Sequence, residues 1–415
     1  MSSEKAELLA SIERDRAEII DFYRNFVRAR SPNPPGNTLE AAAHITRFLA
    51  SEGLEYRTIA PMEQMPNIVA SFEAASPGRH LVLNGHIDVF PVGEGLGWTQ
   101  DPWGGALEGG KIYGRGACDM KAGTTASMFT YRYLHRLRSR LKGRLTLTCV
   151  SDEETFGPWG ARYLIEHYPE VRGDCLLNGE PSGLNTIRFG EKGPLWIALT
   201  VRSPGAHGAY THLSASATKI ASRLIADLEA VTGIPAQAPD NLVRALERAA
   251  PAVDQAMGKG AAEIVQKVTL NVGLVTGGLK VNMIPGDCRI EADIRLPLGV
   301  EKDTVMRAVQ KIAARYPEVG VEEINYSAPS WCDPYGEMVE LLQRNVRSDS
   351  GIEPVPIVSL GGTDARLWRY HNVPAYVYGP PPTGMGSYDE RVTVEDFFHV
   401  LRAHVLSAYD YLSRG

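Results

Sequence analysis

Cysteine is scarce in this sequence of 415 residues: there are five, Cys118, Cys149, Cys175, Cys288 and Cys332. They are widely spaced and none forms a CxxC pair, so neither a disulfide framework nor a thiolate zinc site is suggested. The odd count fits a reducing compartment. No stretch approaches the roughly twenty uncharged apolar residues that a membrane-spanning helix needs, so no membrane partner is expected. Nor is there an excess of positive charge. The formal net charge is −6, and phosphate binding needs clustered Lys and Arg, so no nucleic-acid partner is expected. The local basic run at 132–140 (RYLHRLRSR) reads as the solvated face of a helix. The first twenty residues carry charge throughout and lack the apolar stretch of a signal peptide, so the expected location is cytoplasmic. Internal repeats and low-complexity tracts are absent too.

What is present is ordinary globular composition, 44% hydrophobic and 22% charged, in a chain long enough for two or three domains. Apolar residues at helical spacing run through about 4–29 and stop at SPNPPG (31–36). A second helix is expected at 39–52. Strand and helix then alternate: strands at 67–72, 81–83 and 144–150, helices at 123–141 and 160–167. Short connections between them argue for a largely parallel sheet with helices on both faces. Near residue 190 the pattern becomes strand-then-helix. Strands at 195–201, 267–275, 287–295 and 320–326 accompany helices at 217–231 and 301–315, with a Pro/Ala-rich region at 234–252. Alternation resumes near 335 and ends in a helix at 393–413. The fold class expected is therefore α/β: one sheet domain (1–192 and 328–415) interrupted by a smaller α+β domain (193–327).

Four segments carry candidate chemistry, each at the end of a predicted strand, where ligand crevices open in α/β folds. LVLNGHID (81–88) offers His86, a neutral imidazole suited to zinc, manganese or cobalt, with Asp88 placed to fix its tautomer. A capped turn with a surface histidine is the plainer alternative. YGRGACDMKAG (113–123) offers Asp119 among glycines that permit close backbone approach; here the alternative is an Asp that caps a helix. SDEETFG (151–157) crowds acids that repel one another unless a cation or solvent offsets the charge. Glu153 and Glu154 can divide the work, one as ligand and one as general base. LLNGEPS (176–182) offers Glu180. One histidine and several carboxylates at successive strand ends suit a divalent metal that lowers the pKa of bound water toward ~7 for hydrolysis.

The order GHIDV, YGRGACDMKAG, SDEETFG, NGEPSG resembles the M20 metallopeptidase and amidohydrolase family, over essentially the whole chain. That resemblance implies a metal-dependent hydrolase of a carbon–nitrogen bond in a small anionic substrate, an N-acyl amino acid or related amide by default. It implies that His86 and Glu180 hold one metal, that Asp119 bridges to a second, and that Glu154 belongs to that second metal. Glu153 is then the general base and Asp88 orients His86. The inserted domain becomes a lid and dimerisation domain, making a homodimer the expected assembly. Its loop SPGAHGAY (203–210) brings His207 as oxyanion stabiliser. Asn282 and Arg295 match substrate-binding positions, as does the glycine-rich loop GGTDA (361–365), with Gly362 and Thr363.

One position breaks the pattern. The family's second metal takes a late histidine shortly before an Asp–Glu pair, but here GPPPTGMGSYDERV (379–392) puts Gly386 at that place. No histidine occurs between His371 and His399. Three consequences compete: Ser387, Tyr388 or Asp389 substitutes as an oxygen ligand; the centre is mononuclear; or the chain is a non-catalytic small-molecule binder. The mononuclear reading is preferred, because glycine frees space rather than offering a donor, with Gly386 bordering the substrate. That space raises an alternative activity: removal of an aromatic amino group, as in the nitroanthranilate aminohydrolase branch, with Trp98, Trp103, Phe156, Trp159 and Tyr388 as candidate stacking residues.

Overall fold

The computed structural model describes residues 2–93 and 97–414, which divide into two compact units. The first comprises 1–189, 332–357 and 363–415; the second comprises 190–331 and 358–362.

The first unit is built on a mixed sheet. Its strands run in the order Tyr56–Ile59, Asn67–Glu73, Lys142–Val150, Ser76–His86, Cys175–Asn178, Ala375–Val377 and Thr186–Glu191. The middle four are mutually parallel, and antiparallel pairings close both sides. Residues 81–83 (LVL), 145–150 and 175–177 are buried throughout, as expected of parallel strands covered on both faces. One face packs Val82 and Leu176 against Leu164 and Trp368 from the helices Ala161–His167 and Ala365–Tyr370. The helices Ala122–Arg136 and Val394–Arg414 also pack on the central strands. A small antiparallel sheet of Ala106–Glu108, Lys111–Tyr113 and Arg391–Thr393 ties the late loop to the segment before Asp119.

The second unit is a four-stranded antiparallel sheet ordered Thr269–Gly277, Asp287–Leu296, Gly193–Arg202 and Val319–Tyr326. Its inner face follows the two-residue period of a half-buried strand: Leu195, Ile197, Leu199 and Val201 beside Ile290, Ala292, Ile294 and Leu296. The helices Ala217–Leu228 and Lys302–Ala313 cover that face through Ile220, Leu224, Val305 and Val309.

Three local expectations change. The helix read over 4–29 is two helices, Ser3–Arg14 and Arg16–Arg28. Asp15 leaves helical geometry between them, and its carboxylate is drawn to Arg132 at 2.8 Å. Arg132 is itself the second change: it is 1% exposed, paired with Asp15, Glu18 and Glu52, while Arg136, Arg138 and Arg140 are the solvated part of that basic run. Third, the Pro/Ala-rich region contains the helix Asp240–Met257, with Leu242, Ala245, Leu246, Ala249 and Val253 buried along one face. Pro251 obscured it, since an interior proline usually ends a helix; here the apolar stripe outweighs the lost hydrogen bond. No described helix is long and apolar enough to cross a membrane.

Candidate metal centre

His86 ends the strand Ser76–His86, and Glu180 follows Cys175–Asn178, its immediate parallel neighbour. Sheet geometry therefore delivers both side chains to the same strand-end crevice. Asp119 arrives from the turn Ala117–Lys121, which precedes the helix Ala122–Arg136. That helix begins almost in contact with the Glu180 loop. A Cβ on Gly123 would lie 2.0 Å from the carbonyl oxygen of Gly179, so only glycine permits this backbone approach. Asp119 does not cap the helix: its backbone is extended (φ −113°, ψ 98°), and its Oδ1 lies 3.2 Å from His86 Nε2. Glu180 Oε1 is also 3.2 Å from that nitrogen. Ligand atoms of His86, Asp119 and Glu180 all fall within 4.8 Å of one another.

The other ring nitrogen, Nδ1, is 2.9 Å from the backbone carbonyl of Asp88. A proton on Nδ1 donated to that carbonyl leaves Nε2 free as a ligand atom. The Asp88 carboxylate stands farther off, 3.6 Å from Nδ1, and has a different engagement. It accepts from the backbone N–H of Glu153 (3.3 Å) and of Glu154 (3.1 Å), and from Asn33 Nδ2 (2.9 Å). Asp88 thus ties the Glu153–Glu154 turn to the histidine strand.

Glu153 is 7% exposed. Its Oε1, and that of Glu154, have no hydrogen-bond partner among the described residues. Burial pushes both carboxyls well above the ordinary range, with His86 opposing; Glu180 adds to the rise at Glu153 and Asp119 adds to it at Glu154. Burial, then Asp119, lifts Glu180 to about 7. At His86, burial disfavours the charged ring, but the carboxylates of Glu180, Asp119 and Asp88 outweigh it and hold the pKa well above usual. Buried carboxylates crowded on one imidazole, with oxygens left unpaired, are a donor set that a divalent cation would neutralise. Arg366, 2% exposed, reaches to 3.6 Å from Glu153 Oε1.

Glu154 stands outside the three-residue group, and no second group forms among the described residues. The late loop explains why. Both Asp389 oxygens are committed, one to the N–H groups of Thr99 (2.8 Å) and Gln100, the other to the Thr99 hydroxyl (2.8 Å). Glu390 is buried and equally committed: it accepts from the N–H groups of Gly116, Cys118 and Asp119, and from Arg115 Nη1 at 2.7 Å. Reading the sequence used Glu390 only to locate the missing histidine. Its role as the clamp of the Asp119 turn has no local signal, because its partners lie some 270 residues earlier.

The remaining candidates divide between the two units. Thr363 is buried in the first unit, with its carbonyl taken by Arg366. His207, Asn282, Arg295 and Gly362 belong to the second unit. There His207 is exposed on a short ribbon, where Gly208 N–H donates to the Asn282 carbonyl (2.8 Å). Arg295 pairs with Asp293 two residues before it on the same strand (2.9 Å). Of the aromatic candidates, Phe156 lies under Arg366 (4.5 Å) and Trp103 faces Arg30 (5.8 Å). Trp159 contributes its carbonyl to Asn67, and Trp98 and Tyr388 pair edge-on at 6.4 Å.

The chain resembles known proteins along its length. Residues 82–409 match peptidase family M20/M25/M40. A succinyl-diaminopimelate desuccinylase from Cereibacter sphaeroides (strain KD131 / KCTC 12085) is 30% identical over 383 residues, covering 89% of this chain and 92% of that protein. Among solved structures, the M20 family metallo-carboxypeptidase Sso-CP2 from Sulfolobus solfataricus shares the fold with a TM-score of 0.82 at 17% identity, covering 95% of this chain and 99% of that one. The Bacillus subtilis YXEP protein, described as a dinuclear metal-binding peptidase of the M20 family, gives a TM-score of 0.64 at 14% identity, covering 96% and 99%. With its α/β fold, inserted antiparallel domain and buried histidine–carboxylate cluster, this chain belongs to peptidase family M20/M25/M40 and is a metal-dependent hydrolase acting on carbon–nitrogen bonds.

Proposed function

We propose that the chain hydrolyses the amide bond of a small anionic substrate, an N-acyl amino acid or a related amide, with Glu153 as general base. The observation that supports this most is Glu153 itself: a buried carboxylate with an unpaired oxygen, beside the group of His86, Asp119 and Glu180. Those three residues would hold one divalent ion per chain, zinc, manganese or cobalt. A cation held there supplies Lewis acidity toward the scissile carbonyl and makes water more acidic. Glu153 takes the proton of the attacking water and returns it to the leaving nitrogen. Asp88 fixes the backbone on which Glu153 sits, and Arg366 faces the carboxylate, restricting where that proton is taken. Glu154 borders the site as a ligand left without a second group. On the family resemblance alone, His207 is assigned to the developing oxyanion, and Asn282, Arg295, Gly362 and Thr363 to the substrate's charged end.

A homodimer is the assembly proposed. Among the described residues the strand Thr269–Gly277 ends its sheet with no partner on its outer side, and it exposes Leu274 (46%) and Val275 (52%). A bare apolar edge of that kind invites pairing with a second copy.

Elemental analysis of the purified chain, together with a screen of N-acyl amino acids, tests the reading. One equivalent of metal, turnover abolished by a chelator, and a loss of about 10²–10⁴ in kcat/KM for Glu153→Gln are expected. Two equivalents would refute the mononuclear site. Absence of tight metal with no turnover would leave a binding protein, and ammonia release from an aminobenzoate instead of amide cleavage would redirect the chemistry.

A further inference from the structure

The face of the central strands that leads to His86 changes character every two residues. Val82 and Leu176, paired across neighbouring strands, sit in the apolar core with Trp368. Two residues on, Asn84 stands in register between Asn178 on one side and Thr148 on the other. His86 and Glu180 follow two residues further along their own segments. Side chains two apart on a strand share a face. A layer of amides and a hydroxyl therefore separates the apolar core from the end of the sheet that carries the ligands. All three side chains are 0% exposed, and such groups cost stability in that place unless they are hydrogen-bonded.

They are bonded to one another, and in one direction. Asn178 Nδ2 donates to Asn84 Oδ1 at 2.9 Å, and Asn84 Nδ2 donates to Thr148 Oγ1 at 3.1 Å. The Thr148 hydroxyl in turn donates to the Leu83 carbonyl at 3.4 Å. The other end of the relay leaves the layer: Asn178 Oδ1 accepts the backbone N–H of Glu180 at 2.7 Å. The strand Cys175–Asn178 has ended at that point, so a side chain, and not the sheet, holds this N–H. A bond from an asparagine to the second residue on fixes the turn of the chain. Each amide is engaged at both its oxygen and its nitrogen, so neither can flip without setting donor against donor and acceptor against acceptor.

We propose that Asn178, Asn84 and Thr148 are positioning residues that set Glu180 against His86 and thereby determine the affinity for the divalent ion. The inference rests on the reading of His86, Asp119 and Glu180 as the metal centre. The three act through the Glu180 backbone and not as ligands. Asn178 fixes that backbone, Asn84 fixes the Asn178 amide from the strand that ends in His86, and Thr148 fixes Asn84. Groups that orient a metal ligand in this way typically change affinity about 10–100-fold when removed.

Calorimetric titration of the full chain, stripped of metal, with zinc chloride and separately with manganese chloride reads affinity without turnover. Urea denaturation of the stripped chain reads stability beside it. Asn178→Ala should weaken binding of the ion by about 10–100-fold. Leu177 is the control, since it is 0% exposed on the opposite face of the same strand. Leu177→Ala should lower the urea midpoint at least as far, through the cavity it leaves, with affinity kept within about twofold of wild type. Thr148→Val keeps the shape of the side chain, lies on a strand that supplies none of the three ligands, and should weaken binding by a smaller factor. Thr148→Ser, which returns the hydroxyl, should restore it. Wild-type affinity in either Asn178→Ala or Thr148→Val overturns the relay, as does a loss in Leu177→Ala as large as that in Asn178→Ala. Where Asn178→Ala does not fold, the two Thr148 variants decide alone, and a loss in Thr148→Val that Thr148→Ser does not restore overturns the proposal. A wild-type chain that takes up neither ion overturns the metal centre itself, and the role of the layer with it.

Discussion

The two units bury different things. The interior of the second is a repeating apolar face, with Leu195, Ile197, Leu199 and Val201 packed under Ile220 and Leu224. The first unit has an apolar core of the same kind, but at its strand ends and in the loops beside them it also buries His86, Asp88, Asp152, Glu153, Glu180, Arg366 and Glu390. Apolar burial is favourable whatever the partner, in proportion to area. Buried charge is tolerable only where every oxygen and nitrogen is accounted for. The contrast separates two kinds of buried acid: those whose oxygens accept several hydrogen bonds from the protein, such as Glu390 and Asp88, act as clamps, and those with an oxygen that lacks a hydrogen-bond partner among the described residues, Glu153 and Glu154, are the candidates for chemistry.

That distinction can be broken at three places, by decreasing expected effect. Glu390→Ala removes the acceptor for three backbone N–H groups and strands Arg115, which is 3% exposed. Breaking a buried pair of this kind costs about 3–5 kcal/mol, so chemical denaturation should show that loss, with metal affinity falling as the Asp119 turn loosens. An unchanged melt would mean the clamp is dispensable. Leu199→Ala in the second unit deletes fully buried methyl groups, for a loss of about 2–5 kcal/mol; metal content should stay at the wild-type level. Loss of metal there would show that the two units do not divide the work as described. Lys192→Met tests the second unit's own exception. This lysine is 1% exposed and its ammonium donates to the carbonyls of Ile264 and Lys267 and to the Thr269 hydroxyl. Removing it leaves carbonyls unpaired, for a loss of about 1–3 kcal/mol. A stabilised variant would mean that the buried ammonium costs more than its hydrogen bonds return.

Legibility in the sequence followed the range of the interactions. His86 and Glu180 could be read because each ends an apolar run, and a parallel sheet aligns such ends without further instruction. The strands of the second unit could be read from their two-residue alternation. The helix over 240–257 was obscured because one proline outweighed a buried stripe in a local reading. Asn33 and Arg366 were missed because nothing beside them in the chain marks them. Asn33 matters only against Asp88 and Asp152 (2.9 and 3.2 Å), and Arg366 only against Glu153.

The sequence by itself determined the family, the fold class and the order of the histidine and carboxylate segments, since periodicity and strand-end placement are properties of neighbours along the chain. It also displayed the glycine at 386. Only the tertiary structure decided which carboxylates are satisfied and which are left open. The reason is physical: hydrogen-bond satisfaction depends on atoms brought together from opposite ends of the chain. Asp389 finds Thr99, and Glu390 finds the Asp119 turn, only once the chain has folded.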